Sequence, residues 1–134
     1  MKTEEEVQLF DQSLAKIAAN PDAQYLPRLL LVFDDACEHH EVMFGLLHFL
    51  EDFHTEEVLQ ALKEVIHILP DYAMEWLKIM HYRILNDGAS RVSYQFFFQG
   101  LPLEEQAAFR QILEDIATES LKLKQKVASI LANG

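Results

Sequence analysis

The run Asp34-Asp35-Ala36-Cys37-Glu38-His39-His40-Glu41 gathers four carboxylates, two imidazoles and the chain's only cysteine into eight positions. Side chains of these types can bind zinc, shuttle protons or supply an activated thiolate. Each of those chemistries asks for more than composition. Zinc sites need a second ligand pair at a fixed spacing, and adjacent histidines on a helix point apart. Cys37 with His39 or His40 lacks the local signature that places a base and an oxyanion hole around a nucleophile. For Asp34-Asp35, no surrounding residues promise the buried pocket that would separate two carboxyl pKa values.

Two Glu-x-x-His pairs, Glu51/His54 and Glu64/His67, have the unit that di-iron bundles carry on facing helices. In an antiparallel hairpin, however, Glu51/His54 falls at the turn while His67 lies about 13 residues on, roughly 18 Å along the axis. One cluster cannot hold both. Glycine-rich phosphate loops are absent. No catalytic residue, metal-ligand set or cofactor site is assigned, and the chain does not read as an enzyme. The acidic-histidine run reads instead as a place where the chain meets a macromolecule.

Charge distribution says which kind. Residues 1–60 carry 13 acidic and 3 basic side chains, residues 61–134 carry 9 and 8, so the formal −11 sits almost wholly in the first part. Phosphate and anionic membranes attract Lys- and Arg-rich surfaces, so nucleic acid and membrane are set aside as partners. A basic protein fits, because such a field attracts and orients a cationic partner during encounter. Leu29-Leu30-Leu31-Val32-Phe33, the longest apolar run, is far short of the roughly 20 residues that span a bilayer. A lone cysteine and a start, Met1-Lys2-Thr3-Glu4-Glu5-Glu6, without the marks of a secretory signal lead us to expect a cytoplasmic protein.

Length, 134 residues, predicts a single domain over 1–134, and apolar positions recur at helical spacing throughout. The expected class is all-α with about seven helices, arranged as stacked hairpins like a short HEAT-like solenoid or as an irregular bundle. Thr3 and Glu6 make a capping box for a first helix that buries Val7, Phe10, Leu14 and Ile17 and stops before Pro21. A second helix spans about 22–33, with Pro27 either in the first turn of a shorter helix or at a kink. The acidic-histidine run then leads, as a loop or helix start, into a third helix over about 41–53. Thr55 caps a fourth that ends before Pro70. A fifth covers about 72–86, a sixth about 90–99, and Pro102 opens a last helix running through Lys122, Lys124 and Lys126, whose charges suit its C-terminal end.

The third helix has a broad apolar face and a narrow polar line, Glu41, Gly45, His48 and Asp52. Glycine costs about 1 kcal/mol against alanine there, which predicts close approach at Gly45 by a neighbouring helix or by a partner. Tyr72, Trp76 and Tyr82 read as core, and of Phe96-Phe97-Phe98 at least one must face outward. His81 and Arg83 read as members of an exposed polar edge or a solvated face.

The stretch from Leu29 through the acidic-histidine run to Val42-Met43-Phe44-Gly45-Leu46-Leu47-His48, followed by Tyr82-Arg83-Ile84-Leu85-Asn86-Asp87, resembles the small helical immunity proteins of bacterial polymorphic-toxin systems, specifically immunity protein thirty. The similarity covers roughly residues 22–116. The resemblance implies a non-enzymatic inhibitor, made beside a toxin gene, that binds the cognate toxin's C-terminal domain and spares the producing cell and its siblings. Charge adds a preference for a basic, nuclease-type toxin, an RNase before a DNase, with Asp34, Asp35, Glu38, His39, Glu41, Glu51 and Asp52 as the contact residues. The competing reading is a helical-repeat adaptor with no toxin partner.

Overall fold

The computed structural model describes residues 23–131 together with residues 5, 8, 9 and 12. The expected first helix, with its Thr3–Glu6 cap and Val7, Phe10, Leu14 and Ile17, lies outside the described residues. Those described contain seven α-helices and no strand. After a 3-10 turn over Ala23–Tyr25 come α1 (Leu26–Leu30), α2 (His40–Leu50), α3 (Thr55–Val65), α4 (Pro70–Asn86), α5 (Gly88–Gln99), α6 (Leu103–Glu119) and α7 (Leu121–Leu131).

Local chemistry accounts for most boundaries. Pro27 occupies the first turn of α1, where its missing N–H costs nothing, so the shorter-helix alternative is the one adopted. Pro70 likewise opens α4, two residues earlier than expected. Asp87 accepts the Ser90 amide at 3.1 Å and starts α5. At α3 the expected Thr55 cap is wrong. His54 is the N-cap residue, its amide donates to Glu57 at 3.3 Å, and the Thr55 hydroxyl is spent elsewhere, on Ser90 at 2.9 Å.

The single last helix is also corrected. Ser120 leaves helical geometry (φ −137°, ψ 108°), splitting it into α6 and α7, and the Ser120 hydroxyl accepts the Leu123 amide at 3.4 Å. The break lets α7 fold back against α6, α5 and α4, burying Leu123, Val127 and Ile130. Lys122 and Lys124 therefore fall in the first turn of α7, and Lys126 donates to Asn86 at 3.0 Å.

Helices pack against those two places on in the chain: α1 on α3, α3 on α5, α5 on α7, and α4 on α6. Their buried residues form one contiguous cluster. Trp76 is core as expected, Tyr72 and Tyr82 are half-buried, and of the three phenylalanines Phe97 and Phe98 are buried while Phe96 is 72% exposed. Within the cluster His81 is wholly buried, which overturns its place on an exposed edge. Its Nδ1 lies 2.8 Å from the Leu77 carbonyl and its Nε2 2.8 Å from the Tyr94 hydroxyl. A carbonyl only accepts, so Nδ1 carries the proton and Tyr94 donates to Nε2. Burial pushes the His81 pKa down to about 4 and raises that of Tyr94.

Candidate functional site

The acidic-histidine run is a turn and a bend after α1 that lead into the first residues of α2, held from within and from across the fold. Asp34 accepts the Ala36 amide at 2.9 Å, an Asx-type turn that shapes its own loop. Asp35 reaches much farther. Ala73 takes non-helical angles (φ −137°, ψ 30°), so α4 restarts there with amides that have no carbonyl one turn back. The Asp35 carboxylate accepts two of them, Glu75 at 3.1 Å and Trp76 at 3.3 Å, acting as an N-cap supplied from 40 residues away. Its own amide donates to the Tyr72 carbonyl at 3.0 Å, and the Tyr72 hydroxyl donates to the Leu31 carbonyl at 3.0 Å. Half of the Asp34-Asp35 pair is thus a fastener of the fold.

The fastening brings an aromatic cluster against the run. Trp76 meets Phe33 at 5.8 Å, Phe44 at 5.0 Å and His40 at 6.2 Å between ring centroids. Phe44 remains 41% exposed, and Asp71 and Glu75 at the start of α4 are exposed on the same element as Trp76. Sequence reasoning did not place Asp71 and Glu75 beside residues 34–41. The pairing of Asp35 with α4 has no local signature that could have shown it.

The expected polar line is exposed, but α2 ends at Leu50 rather than about 53: Glu41, Gly45 and His48 lie on the helix, and Asp52 in the turn that follows. Glu41 sits 3.4 Å from the half-buried His39, and its own amide, then His39, hold its carboxyl below the usual range. The side-chain carboxylates of Glu38 and Asp52 have no hydrogen bond or ion pair with any described residue, and Arg28 is the only Lys or Arg among residues 23–60. Glu51, by contrast, is gripped by Arg83, whose Nε and Nη2 donate to its two oxygens at 2.8 and 2.6 Å, with His48 at 3.3 Å. The Arg83 guanidinium holds the Glu51 carboxyl low. Of the seven contact residues expected, the structure leaves the carboxylates of Glu38 and Asp52 exposed with no described partner, sets the exposed Glu41 beside the half-buried His39, shows Asp34 half-buried, and commits Asp35 and Glu51 to internal bonds. Cys37 is buried, with its thiol 3.9 Å from the His39 carbonyl.

Gly45 corrects an expectation. A Cβ built there meets nothing within 4 Å among the described residues, so no described helix uses the space and the neighbouring-helix alternative is not met there. Gly45→Ala is expected to stabilise the fold by up to about 1 kcal/mol, the full helix-propensity gain, read as a higher urea midpoint with an unchanged slope.

Among the described residues no group of three or more His, Cys, Asp or Glu is arranged to hold a metal, and no helix is long and apolar enough to cross a membrane. Among the described residues the arrangement is all-helical, with exposed carboxylates carried on a fastened turn and along one helix edge. The family model for immunity protein 30 matches residues 1–94, and the chain belongs to that family. No curated protein and no solved structure matches it. Membership makes this an immunity protein of a toxin system, an inhibitor rather than an enzyme, with a cognate toxin as partner, and sets aside the adaptor with no toxin. The matched span begins earlier than the resemblance over 22–116 and ends within α5.

Proposed function

We propose that this chain neutralises a basic, nuclease-type toxin domain, an RNase before a DNase, in the cytoplasm where such a toxin meets its substrate. Glu38, Glu41 and Asp52 cover toxin lysines and arginines that would otherwise hold phosphate, with Asp34 and His39 beside them. Asp35 and Glu51 hold the two ends of this edge in place. One observation carries the reading: the exposed carboxylates of Glu38 and Asp52, without a described cationic partner, and of Glu41, with His39 alone beside it among the described residues, lie along an edge whose middle residue, Gly45, leaves space that no other described residue fills. A partner's backbone or a flat side chain can approach there.

Co-expression with the toxin encoded beside this chain tests the proposal. Restored growth, co-purification, and protection of the Glu38–Asp52 edge from hydrogen exchange in the complex are the expected results. Protection confined to α6 and α7 would overturn the assigned face, and a toxin whose target is not a nucleic acid would overturn the nuclease assignment.

A further inference from the structure

Where the acidic edge of α2 ends, a pocket of about 200 Å³ opens between α2, α3, α4 and α5. Its floor is apolar and buried, made by Leu47, Leu50, Val58 and Met80. Glu51, Arg83 and Asp87 stand exposed at its mouth, with Thr55 and Ser90 between them. A cavity of this size takes one side chain, since about 150 Å³ already admits benzene. The charges at the mouth narrow the choice of side chain.

The Glu51–Arg83 pair is bidentate and cancels itself. Asp87 gives Oδ2 to the Ser90 amide and hydroxyl at 3.1 and 2.7 Å, while its Oδ1 accepts no hydrogen bond from a described residue. Arg91 acts on the Asp87 carboxyl through its charge but makes no hydrogen bond to it, its Nη1 donating instead to the Leu85 carbonyl at 2.6 Å. These Ser90 bonds hold the Asp87 carboxyl below its usual range, so it is charged at neutral pH. The pocket therefore offers apolar walls for an alkyl stem and an open carboxylate oxygen at its mouth.

We infer that this pocket is a socket for a cationic side chain, an arginine, contributed by the toxin: its methylenes lie along Leu47, Leu50 and Met80, and its guanidinium pairs with Asp87 at the mouth. The inference rests on the toxin-neutralising reading for the source of the arginine. It adds an anchoring pocket to a surface otherwise made of exposed charges, and anchors in desolvated pockets carry most interface energy.

Acetyl-arginine methylamide is the probe, titrated into the isotope-labelled full chain while the methyl signals of Leu47, Leu50, Met80 and Ile84 are followed. Saturable shifts of these methyls with a Kd on the order of 1–10 mM are expected, weakened at least fivefold by Asp87→Asn, which retains a good N-cap and hence the fold. Equal or tighter binding of acetyl-phenylalanine methylamide would make the pocket an apolar anchor and overturn the inference. Silence of the pocket methyls, or an Asp87→Asn variant that binds as well as the parent, would overturn it too. Because the titration contains no toxin, failure removes the socket while growth rescue judges the toxin-neutralising role separately.

Discussion

Lowering the pH from 7.5 to 5 is expected to cost the fold about 2 kcal/mol through His81 alone, rising to about 3 kcal/mol by pH 4. His81 is fully buried and its pKa is depressed from 6.5 to about 4, so the unfolded chain takes up the proton first. The stabilisation is complete above pH 6.5 and drains away as pH falls toward 4. Protonation would also place a second N–H on Nε2, opposite a tyrosine hydroxyl that donates in the neutral arrangement, and would bury a charge with no carboxylate bonded to it. Glu51 and Glu119, held low by Arg83 and Lys78, add losses of the same sign at more acidic pH.

The paired substitution His81→Leu with Tyr94→Phe isolates the histidine. Replacing both hydrogen-bonding partners by apolar groups leaves neither one stranded, so stability at pH 7.5 should change little. Urea midpoints followed by circular dichroism between pH 7.5 and 5 should then be nearly flat for the pair and steep for the parent. Parallel slopes would show that His81 is not the titrating group. His81→Leu alone should be the least stable at pH 7.5, because it leaves the buried Tyr94 hydroxyl without an acceptor.

Reversing Glu38 and Glu41 together to lysine is expected to slow association with the toxin about 10- to 100-fold at low ionic strength, with the difference shrinking toward 0.5 M salt. The change moves the formal net charge from −11 to −7, two units for each reversal. Both side chains are exposed, so far-ultraviolet circular dichroism and the urea midpoint should stay close to the parent's. Asp34 is left intact in this pair because its carboxylate shapes the turn through the Ala36 amide. Asp35→Ala serves as the opposite case. It should lower stability by about 1–2 kcal/mol through the lost cap on α4 while changing the salt dependence of association little. Stopped-flow association across a salt series reads all of these; a salt-independent rate for the parent would remove electrostatic steering from the account.

The helical class, most helix positions, an outward member among Phe96, Phe97 and Phe98, the exposed polar line beginning on α2 and the family were legible in the residues alone. These follow from short-range rules: apolar periodicity, prolines in first turns, and a run of charge that no core can absorb. Elsewhere the outcome differed. The residues predict a last helix running unbroken from Pro102, and the apolar area that α7 buries by folding back accounts for the break at Ser120. Only the tertiary structure could separate the carboxylates by role. Asp34 and Asp35 are adjacent and chemically identical, yet one turns its own loop and the other caps a helix 40 residues away, because Ala73 breaks α4 beside it. Likewise His81 stands two residues before Arg83, but successive positions on a helix face different directions, and the core claimed one while Glu51 claimed the other. A side chain's type sets what it can bond; which bond it makes depends on neighbours brought close only by folding.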